Sequence, residues 1–221
     1  MYQLTDTTMR EALHVLCRRD PLIARLHDRF GMPSLWIRPQ SFATLVHIVL
    51  EQKVSLASAN AVMQRVRVLC PGMQPSMFLT VSARALRQAG LSQSKLSYCR
   101  SIAEALVNRN LSLPGLRKLS DEQVVAELTS VRGIGPWTAG VYLMMALRRP
   151  DAWASGDRAL VVSYYECEGL NEIPSYKELD AIAVRWIPHR ATAARLLWHA
   201  YLEKRKLKSG VSGVDKSSDM R

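Results

Sequence analysis

Residues 128–157, LTSVRGIGPWTAGVYLMMALRRPDAWASGD, constrain this chain more than any other stretch. A helix should lead into it. Ser120 and Gln123 have the spacing of a capping box, and Val124, Val125, Leu128 and Val131 form an apolar stripe at helical period. Gly133-Ile134-Gly135 breaks that helix. Pro136 suits the first residue of the next one, because its missing N–H would have no helical partner there. The second helix should carry Trp137, Ala139, Tyr142, Met145 and Ala146 and stop near Arg148-Arg149-Pro150. The spacing therefore predicts a helix, a four-residue hairpin and a helix.

Two glycines around one apolar residue let the backbone turn tightly and expose its amides, while Ile134 pins the turn to the core. Exposed N–H groups beside a helix N-terminus suit a phosphate oxygen, although a G-x-G also joins helix pairs that bind nothing. Farther along, Asp157 falls at the N-cap of a helix through Ala159, Leu160, Val162 and Ser163. There its carboxylate can accept a backbone N–H and stay ionised. On its own it reads as a cap. About twenty residues beyond a phosphate-gripping turn, it can also face the sugar which that turn positions.

The chain's 221 residues are enough for a substantial core in one large domain or two small ones. A formal charge of +11, from 30 Lys and Arg against 19 Asp and Glu, favours a polyanionic partner without separating DNA from RNA or an anionic membrane. No apolar run reaches the roughly 18 residues a spanning helix needs. The N-terminal MYQLTDTTMREALHV lacks the layout of a signal peptide. Cys17, Cys70, Cys99 and Cys167 are scattered singly, which fits a reducing interior better than a disulfide framework or a metal site. The histidines, His14, His27, His47, His189 and His199, show no metal-ligand spacing either.

Elsewhere the periodicity predicts helices over 5–16 and 21–30, then one capped by Ser41 and running through Phe42, Leu45 and Leu50 into a polar turn, Glu51 to Ser55. Another helix should continue to Val68. Short helices follow at 75–79 and 82–88, and a long one is capped by Ser92. Leu113-Pro114-Gly115 reads as a separator. After a polar link at 170–176, helices over 176–186 and 190–205 close an all-α chain, and residues 207–221 are expected to be an unstructured tail.

On VRGIGPWTA (131–139), PDAWASGD (150–157), LEQKVS (50–55), GLSQSK (90–95) and RWIPHR (185–190), the chain resembles the helix-hairpin-helix superfamily of DNA glycosylases named for its Gly/Pro-Asp loop, HhH-GPD. The likeness is greatest to its 3-methyladenine, or alkylbase, branch, and ordered matches span residues 20–200. The resemblance implies a two-lobed helical fold with a DNA-facing cleft. Residues 1–40 and 173–206 would make one lobe, and 41–172 the lobe holding the hairpin and Asp157. It implies neither the extra N-terminal α/β domain of some branches nor, with no cysteine after Cys167, their iron–sulfur loop.

The activity implied is hydrolysis of the N-glycosidic bond of alkylated purines flipped out of duplex DNA. Asp157 would stabilise the oxocarbenium-like sugar and orient or deprotonate the attacking water. Trp137, Trp198 and Tyr142 would form the pocket for a cationic base. Gly133, Ile134 and Gly135 would hold phosphate through the backbone. Gln52, Lys53 and Ser55 lie on the turn that enters the minor groove, and Lys53 stands where the family commonly has glutamine or a leucine wedge. Lys95 and Arg190 would meet the DNA backbone. No cofactor is required, but a structural Na+ or K+ can sit on the carbonyls of Val131 and Ile134. Family members that also cut the strand carry a lysine where this chain has Trp137, so a monofunctional enzyme is expected. Val141 replaces the tyrosine usual in the alkylbase branch, which leaves uracil or hypoxanthine open as substrates and a noncatalytic damage-binding module as the alternative class. The expected partner is damaged double-stranded DNA, with no membrane. The protein is expected to act as a monomer at a bacterial nucleoid, or in the nucleus if eukaryotic.

Overall fold

The computed structural model describes residues 3–208, and every regular element among them is helical. In chain order the α-helices are α1 (Asp6–Arg19), α2 (Pro21–Phe30), α3 (Phe42–Glu51), α4 (Leu56–Leu69), α5 (Pro75–Thr80), α6 (Ala83–Gln88) and α7 (Gln93–Val107). They continue as α8 (Leu113–Leu116), α9 (Asp121–Thr129), α10 (Pro136–Met145), α11 (Arg158–Glu168), α12 (Tyr176–Ala183) and α13 (Arg190–Lys208). The starts follow local chemistry. Ser41, Ser55, Ser82, Ser92, Ser120, Asp157 and Ser175 each turn a side-chain oxygen back onto a backbone N–H of the first turn. The capping box at Ser120 and Gln123 is present as the spacing predicts.

The described residues divide into two units. The first takes the N-terminal residues up to Leu4 together with Trp36–Gly156; the second takes Thr5–Leu35 and everything from Asp157 onward. In the first unit, α3 is the central helix. Its run FATLVHIVLE is apolar almost all round, and it packs against α4, α7 and α10. Phe42 meets Phe78 edge-to-face at 5.4 Å. α9 and α10 pack together across the hairpin.

In the second unit α13 packs on α1, α2 and α11. The buried alanines Ala191, Ala193, Ala194 and Ala200 allow that close approach. Its buried Arg195 donates to the Ser34 carbonyl from both Nε and an Nη. Asp20, also buried, caps α2 and accepts Trp186 Nε1 at 2.6 Å and Arg185 Nε at 2.7 Å. α11 is tied to α13 by side chains at both Ser163 and Glu166. Ser163 Oγ donates to the Leu197 carbonyl at 2.7 Å, and Glu166 pairs with Arg205.

Several expectations change. α9 ends at Thr129, so residues 130–135 form the connection and the turn is longer than the predicted hairpin. Val131 is buried but lies beyond the helix. Leu113-Pro114-Gly115 is not a separator but the body of α8, because Ser112 caps it and Pro114 fits a first turn. The last helix reaches Lys208; the rest of the expected tail lies outside the described residues. The boundary between units falls at Asp157 rather than 173, since α11 buries its apolar face against α13 and α2.

Candidate functional site

The hairpin is built around one backbone position. Gly133 has φ +95°, a region side chains avoid, and a Cβ there would land on the side chain of Tyr98. The glycine is therefore required by the fold itself. Gly135 differs. It has φ −97°, serves as the N-cap of α10, and a Cβ on it would meet nothing. Ile134 is buried as the pattern predicts, and its N–H closes the turn onto the Val131 carbonyl at 3.1 Å. Pro136 opens α10, where Gly135 provides no side-chain cap. A helix N-terminus whose cap residue has no side chain gives a ligand close access to the backbone, as an anion site requires. Arg132, passed over in the sequence, is exposed beside these amides in the chain.

The α3–α4 turn is pinned residue by residue. The Leu50 carbonyl accepts Lys95 Nζ at 2.7 Å. The buried carboxylate of Glu51 takes both Nη groups of Arg38, at 3.0 and 2.5 Å. Gln52 Nε2 donates to the Gly133 carbonyl at 3.1 Å and to Thr138 Oγ1 at 3.0 Å. Lys53 then adopts φ +58° at an exposed tip, and the Ser55 hydroxyl caps α4. A lysine in the left-handed region persists only where its neighbours hold it.

Two of the residues expected at DNA are engaged within the chain. Lys95 is not extended toward a ligand: it caps the C-terminal end of α3, and burial holds its ammonium below the ordinary lysine range. Gln52 has its amide N–H groups committed to the hairpin rather than free for a ligand.

α10 also carries the two aromatic candidates of this unit. Trp137, on its first turn, is half-buried. Tyr142 is fully buried, with its hydroxyl lacking a hydrogen-bond partner and its ionisation pushed upward by desolvation. A ring sealed in the core cannot stack on an incoming base, which removes Tyr142 from the pocket. Between them lies a glycine the sequence reading overlooked. A Cβ on Gly140 would collide with the Trp153 carbonyl, so this helix and the loop that runs on to Asp157 touch backbone to backbone.

In the second unit, Asp157 caps α11 as predicted. Its Oδ1 accepts the Leu160 N–H at 2.8 Å and the Trp198 indole N–H at 3.1 Å. It is partly exposed. Trp198 itself is 6% exposed, and the Arg195 guanidinium lies 5.8 Å from its ring centroid. Its nearest role is thus to hold Asp157 rather than to present an open stacking face. Arg190 begins α13. Glu166 and Glu168 are engaged by Arg205 and Arg25.

The turn, the hairpin and the capping aspartate occupy one segment of chain that a family model covers as a whole. Residues 46–189 match the model described as HhH-GPD superfamily base excision DNA repair protein. The chain belongs to that superfamily. Among its HhH-GPD relatives is the alkylbase DNA glycosidase-like protein mag2 of Schizosaccharomyces pombe, 25% identical over 87% of this chain and 94% of the relative. Among solved structures, the DNA-3-methyladenine glycosidase of Bacillus halodurans superposes with a TM-score of 0.74 at 29% identity, covering 93% of this chain and 95% of that one. The 3-methyladenine DNA glycosylase Mag1 of S. pombe, solved in complex with abasic DNA, also gives 0.74, at 25% identity over 85% and 95%.

Proposed function

We propose that this chain is a monofunctional DNA glycosylase that releases alkylated purines of the 3-methyladenine and 7-methylguanine type from duplex DNA, leaving an abasic site. The observation that carries the reading is the Asp157 carboxylate, held on one oxygen by a helix N-terminal amide and an indole N–H. A carboxylate fixed in this way needs no reorganisation as positive charge develops on the sugar, and it can orient the attacking water. Alkylated purines of this kind are cationic and their bond to the sugar is already weakened. Stacking on Trp137 with a cation–π component suits such a base once it is flipped. Trp137 occupies the position at which strand-cutting relatives carry a Schiff-base lysine, so water is the nucleophile and strand cleavage is not part of the reaction.

The hairpin amides, with Arg132 beside them, hold one phosphate, and the strained Lys53 enters the groove. The Val131 carbonyl closes the turn with one lone pair and keeps a second, which suits a monovalent cation shared with Ile134. Such an ion would position phosphate and take no part in the chemistry. No helix among the described residues is long and apolar enough to cross a membrane. The place of action is with chromosomal DNA, at the nucleoid or in the nucleus.

Free-base release from methylated, uracil-containing and hypoxanthine-containing duplexes, followed by alkali to reveal uncut abasic sites, tests the proposal. Release of 3-methyladenine or 7-methylguanine with strand breaks only after alkali is expected. Release of uracil or hypoxanthine alone would reassign the substrate, and binding without any release would make the chain a damage-binding module.

A further inference from the structure

We infer that Gln52 is a positioning residue: its side-chain amide locks the α3–α4 turn to the hairpin, so the two turns meet DNA as one rigid piece. The inference rests on the reading of both turns as DNA-facing.

The amide nitrogen of Gln52 bridges two acceptors far away in sequence, the Gly133 carbonyl at 3.1 Å and the Thr138 hydroxyl at 3.0 Å. Gly133 is the residue whose left-handed conformation shapes the hairpin. Thr138 lies on the first turns of α10 and is 1% exposed, so it cannot itself reach DNA. The latch therefore joins the turn to both the bend of the hairpin and the helix that follows it. Its setting argues against a loose surface contact. Leu50 and Glu51, the two residues before it, are each held by a different element, through Lys95 and Arg38. The next residue, Lys53, keeps a left-handed backbone that solvent alone would relax. A glutamine donating its N–H groups in the groove would have to give up both internal bonds, and the buried Thr138 hydroxyl would lose this partner. Holding two binding elements in fixed register makes the second contact effectively intramolecular once the first has formed. Gln52 thus serves recognition by aligning the turns.

The test begins with DNA-free protein, so that it does not depend on the enzymatic reading. Amide hydrogen exchange is followed over residues 50–55 and 130–138 in the wild type, Gln52→Ala, Thr138→Val, the double variant and Thr138→Ser. Binding to a duplex with a stable abasic analogue and single-turnover base release from a methylated duplex are then measured. Gln52→Ala should speed exchange in both segments and weaken binding by about three- to tenfold, the range for one or two lost hydrogen bonds. The release rate of the saturated complex should stay at the wild-type value. Thr138→Val should weaken binding by a smaller factor, the double variant should be no worse than Gln52→Ala, and Thr138→Ser should behave as wild type. Unchanged exchange at the hairpin in Gln52→Ala would overturn the latch. So would a silent Thr138→Val beside a weakened Gln52→Ala, the pattern of a direct DNA contact. If the wild type neither binds nor releases base, the glycosylase reading fails while the exchange data still decide the latch.

Discussion

In the hairpin, the groups available to a ligand belong to the backbone, and the surrounding side chains serve that backbone. Ile134 is buried beneath it, Tyr98 fills the space a Cβ at residue 133 would need, and Gln52 holds the Gly133 carbonyl. At the start of α11 the relation is reversed. The working group we propose is the side chain of Asp157, and a backbone N–H and the Trp198 indole hold it in place. A site made of backbone is sensitive to shape and is damaged through affinity. A site made of one carboxylate is sensitive to charge and is damaged through rate. The two regions should therefore fail in different ways when changed.

The largest effect is expected from Asp157→Asn. Asparagine caps a helix nearly as well as aspartate, so the fold and the affinity for an abasic-analogue duplex should survive. Base release under single-turnover conditions should fall by at least about 100-fold as the charge is lost. Gly133→Ala should cost about 2–4 kcal/mol in a urea titration, because it combines a left-handed φ with overlap on Tyr98. Gly135→Ala sharpens the contrast within the hairpin itself. Nothing in the protein blocks a Cβ there, so the urea midpoint should not move, whereas affinity for DNA should drop about tenfold where the phosphate packs against the backbone. The smallest effect should come from Trp198→Phe, which removes one hydrogen bond from Asp157. It should slow base release by about fivefold with little change in binding.

The parts of this molecule that were legible from sequence are those set by local chemistry. Serine caps and the Pro136 start each act within a turn of helix, and they place the starts of α3, α4, α7, α9 and α10 correctly. The Asp157 cap is of the same kind. What escaped depends on partners distant in sequence. Lys95 looks like a free cation until the Leu50 carbonyl is brought beside it, and Gln52 looks like a groove contact until Gly133 and Thr138 arrive. Gly140 gave no signal as a helix-interior glycine, since its reason is the Trp153 carbonyl across the loop. Tyr142 sat one residue from a familiar aromatic position, but a shift of one residue on a helix turns a side chain by about 100°, and the fold buries it. The boundary at Asp157 was missed because a cap marks where a helix starts and not which unit that helix joins.

The most direct test measures binding and base release side by side for Asp157→Asn and Gly135→Ala, with protein in excess over a methylated duplex. The aspartate variant should bind like the wild type and release almost no base, and the glycine variant should bind weakly yet release base at the wild-type rate once saturated. If both variants lose binding and release in the same proportion, grip and chemistry are not divided between these two regions and the account is wrong.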